Sequence, residues 1–178
     1  MSFFAGLVWR HIPVGKEPLH LGWILRSARG RWNSRRPRLP CLYTSLTPWG
    51  AVAEFEKHVA EYAAPRRRDL VSLRVKVGPV LDLTSRLVRR RIGVSRETIV
   101  SATARDQALC RAIARRYILE GSHRAILAPS ASLEGEANLM IYVASTSGIQ
   151  ELADGPDRVT ITPGFRWPPP SAPRAPIA

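Results

Sequence analysis

Short stretches of alternating or continuous apolar residues recur along the chain and predict a set of β-strands. The clearest alternation spans residues 70–77 (LVSLRVKV), as expected of a strand with one buried face. Other strands are predicted at 6–12, 41–46, 80–83, 125–128, 139–144 and 158–162. Because helices do not alternate regularly with these strands, the pattern predicts an α+β fold: a single compact domain whose mixed or antiparallel sheet is flanked by helices.

Helical periodicity predicts three helices. Thr47 is a suitable N-cap and Pro48 a suitable first helical residue for a helix that runs to about residue 64. Its apolar face carries Ala51, Phe55, Val59 and Tyr62, beside a polar stripe of Glu54, His58 and Glu61. A short helix is predicted over 84–91. A longer helix is predicted to begin at Thr103 and to end at Gly121, with six residues facing inward: Ala108, Leu109, Ala112, Ile113, Tyr117 and Ile118.

The chain has the length of one domain, 178 residues, and its 45% of hydrophobic residues is enough to form a core. We expect this domain to span 1–167 and the proline-rich tail, 168–178, to be extended or disordered. A polar stretch rich in glycine and arginine follows the first strand up to about Pro40. Long ordered loops of this kind usually carry function.

Positive charge dominates the composition, with 27 Lys and Arg residues against 14 Asp and Glu residues and a net charge of +13. The only lysines are Lys16, Lys57 and Lys76, so arginine supplies nearly all of it. Such a chain attracts polyanions: nucleic acid, phosphorylated ligands or an acidic partner. The arginines are scattered over several segments, which makes direct nucleic-acid binding a secondary hypothesis.

Several common sites are absent from the sequence. It lacks the phosphate-binding loop, the dinucleotide glycine fingerprint, the zinc-binding helix motif and the serine-hydrolase elbow. The four histidines are too far apart in sequence to predict a metal site. No secretory signal or membrane segment is expected, and the widely spaced Cys41 and Cys110 predict free thiols in a cytoplasmic compartment. The remaining candidates for a site are arginine, hydroxyl and carboxylate groups.

Three short motifs stand in an order that resembles a known family. They are Gly30-Arg31-Trp32-Asn33, then residues 42–45 (LYTS) leading into Ala53-Glu54, and finally residues 128–131 (APSA) followed by Asn138-Leu139. Weaker matches at Trp9-Arg10 and at 80–84 also fall in order. Together they resemble the RES-domain family over roughly residues 8–145. Residues 34–36 (SRR) depart from the family pattern by crowding the first motif with charge.

The resemblance implies a fold related to ADP-ribosyltransferase toxins, and NAD as the substrate without a metal. It also implies the toxin role of a toxin–antitoxin pair. The expected partner is a cognate antitoxin with a helix-turn-helix (Xre-like) DNA-binding part, with which the chain would form an oligomer. The implied reaction cleaves the nicotinamide–ribose bond by hydrolysis or phosphorolysis. Two alternatives stay open: transfer of ADP-ribose to a protein, and a basic nucleic-acid-binding protein without enzymatic activity.

The chemistry of the motif residues suggests their roles. The planar fork of Arg31 suits a pyrophosphate, and the carboxylate of Glu54 can hold ribose hydroxyls and stabilise the charge of an oxocarbenium ion. The ring of Tyr43 could stack on nicotinamide or ribose, although a core role is equally compatible with its position. Ser130 lacks a histidine base at a recognisable spacing, so we expect it to donate a positioning hydrogen bond. Asn138 could support the site residues from behind or begin a strand, and we favour a structural role.

Two other residues are expected to lie apart from the chemistry. Trp32 is expected to anchor its loop in the core. Glu56 lies about 200° round the helix from Glu54, so it is the weaker carboxylate candidate.

Overall fold

The computed structural model of the chain describes residues 2–19, 30–33, 39–62, 66–143 and 147–167. In these ranges the strands are β1 (Ser2–Pro13), β2 (Cys41–Ser45), β3 (Arg68–Asp82), β4 (Ala125–Pro129), β5 (Ala137–Tyr142) and β6 (Ile149–Ile161). The helices are α1 (Pro48–Tyr62), α2 (Arg86–Ile92), α3 (Arg96–Val100) and α4 (Ala104–Ala114), which continues as a π-helical turn over Arg115–Leu119. The predicted tail at 168–178 and most of the polar loop before Pro40 lie outside the described residues.

The strands form one mixed sheet built from two antiparallel triplets. Residues 68–77 of β3 lie between β1 and β6, and β5 lies between β2 and β4. The triplets are joined where residues 80–82 of β3 pair in parallel with residues 125–127 of β4, and by a bridge between Trp9 and Ser45. The prediction of a single compact α+β domain with a mixed sheet and flanking helices is confirmed.

β3 unites two segments that the sequence pattern predicted as separate strands. The Gly78-Pro79 pair between them favours a turn. Both residues are instead paired with neighbouring segments: the Gly78 N–H donates to the Gly148 carbonyl (3.0 Å), and the Pro79 carbonyl accepts from the Arg124 N–H (2.8 Å). The predicted break is wrong, because backbone partners on both sides let the strand continue.

α4 packs through a different face from the predicted one. Ile113 and Ile118 are buried as expected, but Ala108, Leu109 and Ala112 are exposed and that part of the prediction is wrong. The helix instead buries Cys110 and Ala114, which pack with Ile126 and Met140 of the sheet. Two apolar stripes overlap along this helix, and the contact with the sheet selects one of them.

The helix ends also differ from the sequence prediction. Gly93, with φ 73°, is the left-handed cap of α2, whereas Gly121 is not left-handed and lies beyond the last helical residue, Leu119. Gly121 is required for a close approach, since a Cβ there would lie 2.6 Å from the Tyr117 carbonyl oxygen. α3 was not predicted, because five residues are too few to show a helical period.

α1 begins and packs as predicted. The Gly50 N–H donates to Thr47 Oγ1 (3.0 Å), which confirms Thr47 as the N-cap. Ala51 and Phe55 are buried against strands β1 and β3, and Val59 packs partly against the same cluster. The adjoining stripe of α1, which carries Gly50 and Glu54, faces the ends of β2 and β5. None of the helices in the described parts of the chain is long and apolar enough to span a bilayer.

Candidate functional site

The structure brings together a carboxylate and two polar side chains that lie far apart in sequence. Glu54 Oε1, on the second turn of α1, accepts hydrogen bonds from Asn138 Nδ2 (2.7 Å) and from Ser130 Oγ (3.3 Å). Asn138 is on β5, and Ser130 follows the end of β4. Both donors point at the same oxygen, and no described residue donates to Glu54 Oε2. Among the described residues, the hydrogen bonds therefore fix Glu54 through Oε1 alone.

Each donor is itself held by a further hydrogen bond. The Asn138 Oδ1 atom accepts from Ser45 Oγ (2.8 Å), its cross-strand neighbour on β2. Ser130 Oγ accepts from the backbone N–H groups of Ser132 (3.1 Å) and Leu133 (3.2 Å) in the turn that follows. Because Ser130 is 3% exposed and its acceptor positions are occupied by N–H groups, its hydroxyl proton is directed to Glu54.

The turn that carries Ser130 is fastened to α1 at two further points. Lys57 Nζ donates to the Ala131 carbonyl (3.3 Å), one helical turn after Glu54 on the same face. At the other end, Thr47 Oγ1 donates to Glu136 Oε2 (2.7 Å). These contacts fix the distance between α1 and the end of the β2–β5–β4 triplet, and hence the geometry around Glu54.

Close approach of α1 to β2 depends on a residue without a side chain. A Cβ on Gly50 would lie 3.1 Å from Ser45 Cβ. Gly50 therefore lets the first turn of α1 lie against the end of β2, which places Glu54 within reach of Asn138.

Arg31 lies at the end of α3. Its Nη1 donates to the carbonyls of Ile99 (2.7 Å) and Ser101, and its Nη2 is 3.4 Å from the Val100 carbonyl oxygen. These acceptors are the unpaired carbonyls at a helix C-terminus, where a cation is stabilised. The guanidinium is half-buried. These carbonyls brace the Arg31 side chain against the end of α3.

Tyr43 connects the Arg31 loop to the sheet. Its hydroxyl accepts a hydrogen bond from the Trp32 N–H (2.7 Å), and the Trp32 carbonyl accepts one from the Tyr142 hydroxyl (2.9 Å). Trp32 is buried, which confirms its predicted anchor role. Burial raises the pKa of Tyr43 well above its usual value, so its ring carries a neutral phenol. Gly30 is needed beside it, because a Cβ there would lie 2.4 Å from the Tyr43 hydroxyl oxygen.

The Glu54 network and the Arg31 loop lie against the same face of strands β2 and β5. Side chains alternate along a strand, so Tyr43 and Ser45 on β2 share a face with Asn138 and Met140, their partners on β5. The Glu54 network lies at one end of this face and the Arg31 loop contacts it through Tyr43. The motif residues Arg31, Tyr43, Glu54 and Ser130 therefore border one face of the β2–β5–β4 triplet.

The structure also shows the contacts of Glu56 and Asn138, which the sequence analysis considered, and of Ser45, which it did not. Glu56 Oε1 accepts from the Gly164 N–H (2.6 Å), outside the Glu54 network. Asn138, expected to be structural, contacts Glu54 directly. Ser45 was missed, although its position two residues after Tyr43 on a strand places it on the same face. Among the described residues, no group of three or more His, Cys, Asp or Glu side chains could hold a metal ion.

A histidine pair links α1 to β1, one helical turn after Glu54. His58, one turn after Glu54 on α1, has its Nδ1 atom 3.0 Å from Nε2 of His11 on β1. Burial lowers the pKa of His11 well below its usual value, and the positive charges of Arg68 and Arg10 lower it further. Burial also lowers the pKa of His58. A neutral pair can share one N–H between the two rings.

The histidine pair predicts that the protein loses stability in mild acid. Below about pH 6.5, His11 binds a proton in the unfolded chain but stays neutral in the folded protein. The free energy of unfolding therefore falls as the pH falls, by at most about 1.4 kcal/mol per pH unit for one histidine. Urea unfolding at several pH values between about 7.5 and 5.5 measures this slope. In His11→Gln the slope should be reduced, and more than in His123→Gln, whose ring is less buried. An unchanged slope in His11→Gln would contradict the assignment.

The fold and site together define a class: a single-domain α+β protein with a braced carboxylate at the end of a strand triplet. A family model, described as the RES domain, matches residues 8–160. The chain therefore belongs to the RES-domain family, as the motif order suggested.

Among solved structures, the chain is similar to one in the crystal structure of the M. tuberculosis MbcT–MbcA toxin–antitoxin complex. The TM-score is 0.68, over 90% of this chain and 86% of that chain, at 18% sequence identity. At this identity the likeness shows the shared fold. A sequence search of curated proteins found no match.

Proposed function

We propose that this protein is an NAD-consuming toxin of a toxin–antitoxin pair, which breaks the nicotinamide–ribose bond with Glu54 as its central catalytic residue. The observation that carries the proposal is the Glu54 carboxylate, whose Oε1 accepts from Ser130 and Asn138 while no described residue donates to Oε2. Membership of the RES-domain family supports NAD as the substrate. Two buried free thiols, Cys41 and Cys110, support action in a reducing cytoplasm.

Cleavage of the nicotinamide–ribose bond is favoured by a fixed negative charge beside the ribose. When the bond between nicotinamide and the ribose C1′ breaks, its electron pair leaves with nicotinamide and positive charge develops on the ribose. A carboxylate that is already oriented stabilises this charge without reorganising. Glu54 Oε2 can accept from a ribose hydroxyl while Oε1 stays fixed. The oxygen of the acceptor then bonds to C1′ and releases its proton.

Arg31 and Tyr43 are proposed to bind the rest of NAD. The edge of the Arg31 guanidinium that does not face α3 carries positive charge towards a pyrophosphate. The neutral ring of Tyr43 offers a flat surface on the same sheet face as Asn138. Ser130 is proposed to contact the nicotinamide amide or a ribose hydroxyl in addition to Glu54.

The acceptor is proposed to be water or phosphate, and the products distinguish the two. Hydrolysis yields ADP-ribose in any buffer, whereas phosphorolysis yields a phosphorylated ADP-ribose only when phosphate is present. Incubating purified protein with NAD, with and without phosphate, and separating the products by chromatography decides between them. ADP-ribose covalently attached to an added protein, with little free product, would instead favour the transferase alternative.

The proposed partner is a cognate antitoxin with a helix-turn-helix (Xre-like) DNA-binding part. Its support is the fold shared with a chain of a toxin–antitoxin complex. The competing hypothesis, a basic nucleic-acid-binding protein without activity, predicts steeply salt-dependent binding and no NAD loss.

Removing the Ser130 hydroxyl tests its contact with Glu54. We expect Ser130→Ala to slow nicotinamide release about tenfold, because a hydrogen bond to a charged group that orients it is lost. Ser132→Ala is the matched control, since Ser132 Oγ has no hydrogen-bond partner among the described residues and its removal should leave the rate within about twofold. Equal rates for the two variants would remove Ser130 from the site.

A further inference from the structure

A strongly basic surface lies between α2 and α3, apart from the Glu54 network. We call it the arginine groove, lined by Arg86, Arg89, Arg90 and Arg96 around the turn at 93–95. Glu97 is the one acidic residue among its lining residues. The proposed chemistry of NAD uses none of these side chains.

The groove concentrates positive charge on a short helix that packs weakly on the rest of the protein. α2 has seven residues and none is buried, so it packs only through the partly buried Val88 and Ile92. Arg86 is spaced three and four residues from Arg89 and Arg90, a separation at which like charges on a helix repel. The concentration of positive charge favours an anionic partner laid against this helix.

The arginines differ in how far they are occupied within the chain. Arg89 Nη1 donates to the carbonyls of Leu83 and Thr84 (both 2.7 Å), which holds this side chain in place. Arg96 approaches Glu134 (3.6 Å), whose side chain is 90% exposed. The side chains of Arg86 and Arg90 are exposed and make no hydrogen bond or ion pair with the described residues. The guanidinium groups of Arg86 and Arg90 can therefore form ion pairs with an anionic ligand of the groove.

The surface beside the arginines favours a protein segment over a nucleic acid. Leu87 is 58% exposed and lies beside the groove, three and four residues before Arg90 and Arg91 on α2. Surfaces that bind single-stranded nucleic acids usually interleave basic groups with aromatic side chains for base stacking. The residues that line the groove include no aromatic side chain. An exposed leucine framed by arginines instead matches an amphipathic segment with acidic and aliphatic residues.

The groove is connected to the candidate site through α3. The last carbonyls of α3 accept from Arg31, and Arg96 at its first turn approaches Glu134 in the turn that follows Ser130. A segment bound in the groove would therefore lie beside the elements that carry two of the proposed site residues.

We propose that the arginine groove binds an acidic, amphipathic segment of a partner protein. Its carboxylates pair with Arg86, Arg90 and Arg96, and an aliphatic side chain covers Leu87. This goes beyond the proposed function and does not depend on NAD chemistry.

Binding of a defined peptide to the full chain tests the proposal. The probe is a labelled synthetic helical peptide of about 15 residues, with leucine on one face and glutamate on the flanks. Its control has glutamine in place of every glutamate. We expect the acidic peptide to bind at least about tenfold more tightly than the control, as measured by fluorescence anisotropy at moderate salt. Equal binding of the two peptides, or none, would overturn the proposal.

Charge-reversal variants locate the site. Arg86→Glu combined with Arg90→Glu should weaken binding of the acidic peptide about tenfold or more. Arg66→Glu combined with Arg67→Glu changes the net charge equally at two exposed arginines before β3, and should weaken it no more than about twofold. Similar losses in both pairs would mean that the overall charge and not the groove attracts the peptide.

Leu87 and a nucleic-acid competitor separate the two classes of ligand. Leu87→Ser should weaken peptide binding about fivefold, since an apolar contact is lost. A single-stranded oligonucleotide of equal charge should compete poorly. An unchanged affinity in Leu87→Ser together with efficient competition by the oligonucleotide would overturn the assignment to a protein segment.

NAD loss measured on the same preparations keeps this inference separate from the proposed function. The groove variants leave Glu54 and its partners in place, so they should consume NAD as the wild type does. Normal NAD loss without peptide binding rejects only the groove. Peptide binding without NAD loss in the wild type rejects only the proposed enzyme.

Discussion

Glu54→Gln is expected to slow nicotinamide release from NAD by about 10²- to 10³-fold, the range typical for removal of one preorganised electrostatic group. Glutamine keeps an oxygen that can accept from Ser130 and Asn138, so the hydrogen-bond network can survive. What is lost is the negative charge that faces the developing oxocarbenium ion. The initial rate of nicotinamide release measures the effect, and a thermal melt should show a folded protein.

Glu56→Gln is the matched control for this variant. Glu56 lies two residues further along α1, and its Oε1 atom accepts from the Gly164 N–H instead of joining the network. Its substitution removes the same charge from the same helix and should leave the rate within about threefold of wild type. Equal losses in both variants would mean that net charge, and not the position of Glu54, governs the rate.

Arg31→Lys is expected to reduce both the affinity for NAD and the stability of the fold. A lysine keeps the positive charge, but its compact ammonium lacks the planar fork of donors. It cannot bond the α3 carbonyls as Arg31 does and still present a second edge to a pyrophosphate. We expect KM for NAD to rise about 10- to 100-fold, and Tm to fall by about 2–8 °C for a loss of about 1–2 kcal/mol.

The two effects of Arg31→Lys distinguish two roles. Arg105→Lys, an exposed arginine on the first turn of the neighbouring helix α4, should change neither quantity measurably. A lower Tm with an unchanged KM would make Arg31 a brace for α3 and remove it from the NAD-binding residues. A higher KM with little change in Tm would make binding its principal role.

The sequence was most informative where chemistry and geometry agree locally. Thr47-Pro48 predicted the start of α1 because both signals are local. The Thr47 hydroxyl accepts from a backbone N–H of the first turn, and proline at the first helical position has no N–H that needs a partner. Motif order placed Glu54 and Ser130 in one site, and the structure brings these two side chains into contact across 76 residues of sequence. That contact could be anticipated only through the family resemblance, since spacing alone does not show which elements meet.

The remaining differences arise from tertiary contacts that no local pattern contains. Gly78-Pro79 has the composition of a turn, yet β3 runs through it because Gly148 and Arg124 supply backbone partners. α4 carries two overlapping apolar stripes, and the sheet selects Cys110 and Ala114 over Leu109. The contact of Asn138 with Glu54 is of the same kind, since it joins β5 to α1 and no local pattern shows that these two elements meet.

The central claim is that this chain consumes NAD. It is tested most directly by following NAD and nicotinamide together over time with purified wild-type protein, in buffers with and without phosphate. The account predicts that nicotinamide appears in equal amount as NAD disappears, and that Glu54→Gln nearly abolishes both changes. Intact NAD with the folded wild-type protein in both buffers, and with candidate acceptor proteins added, would contradict it.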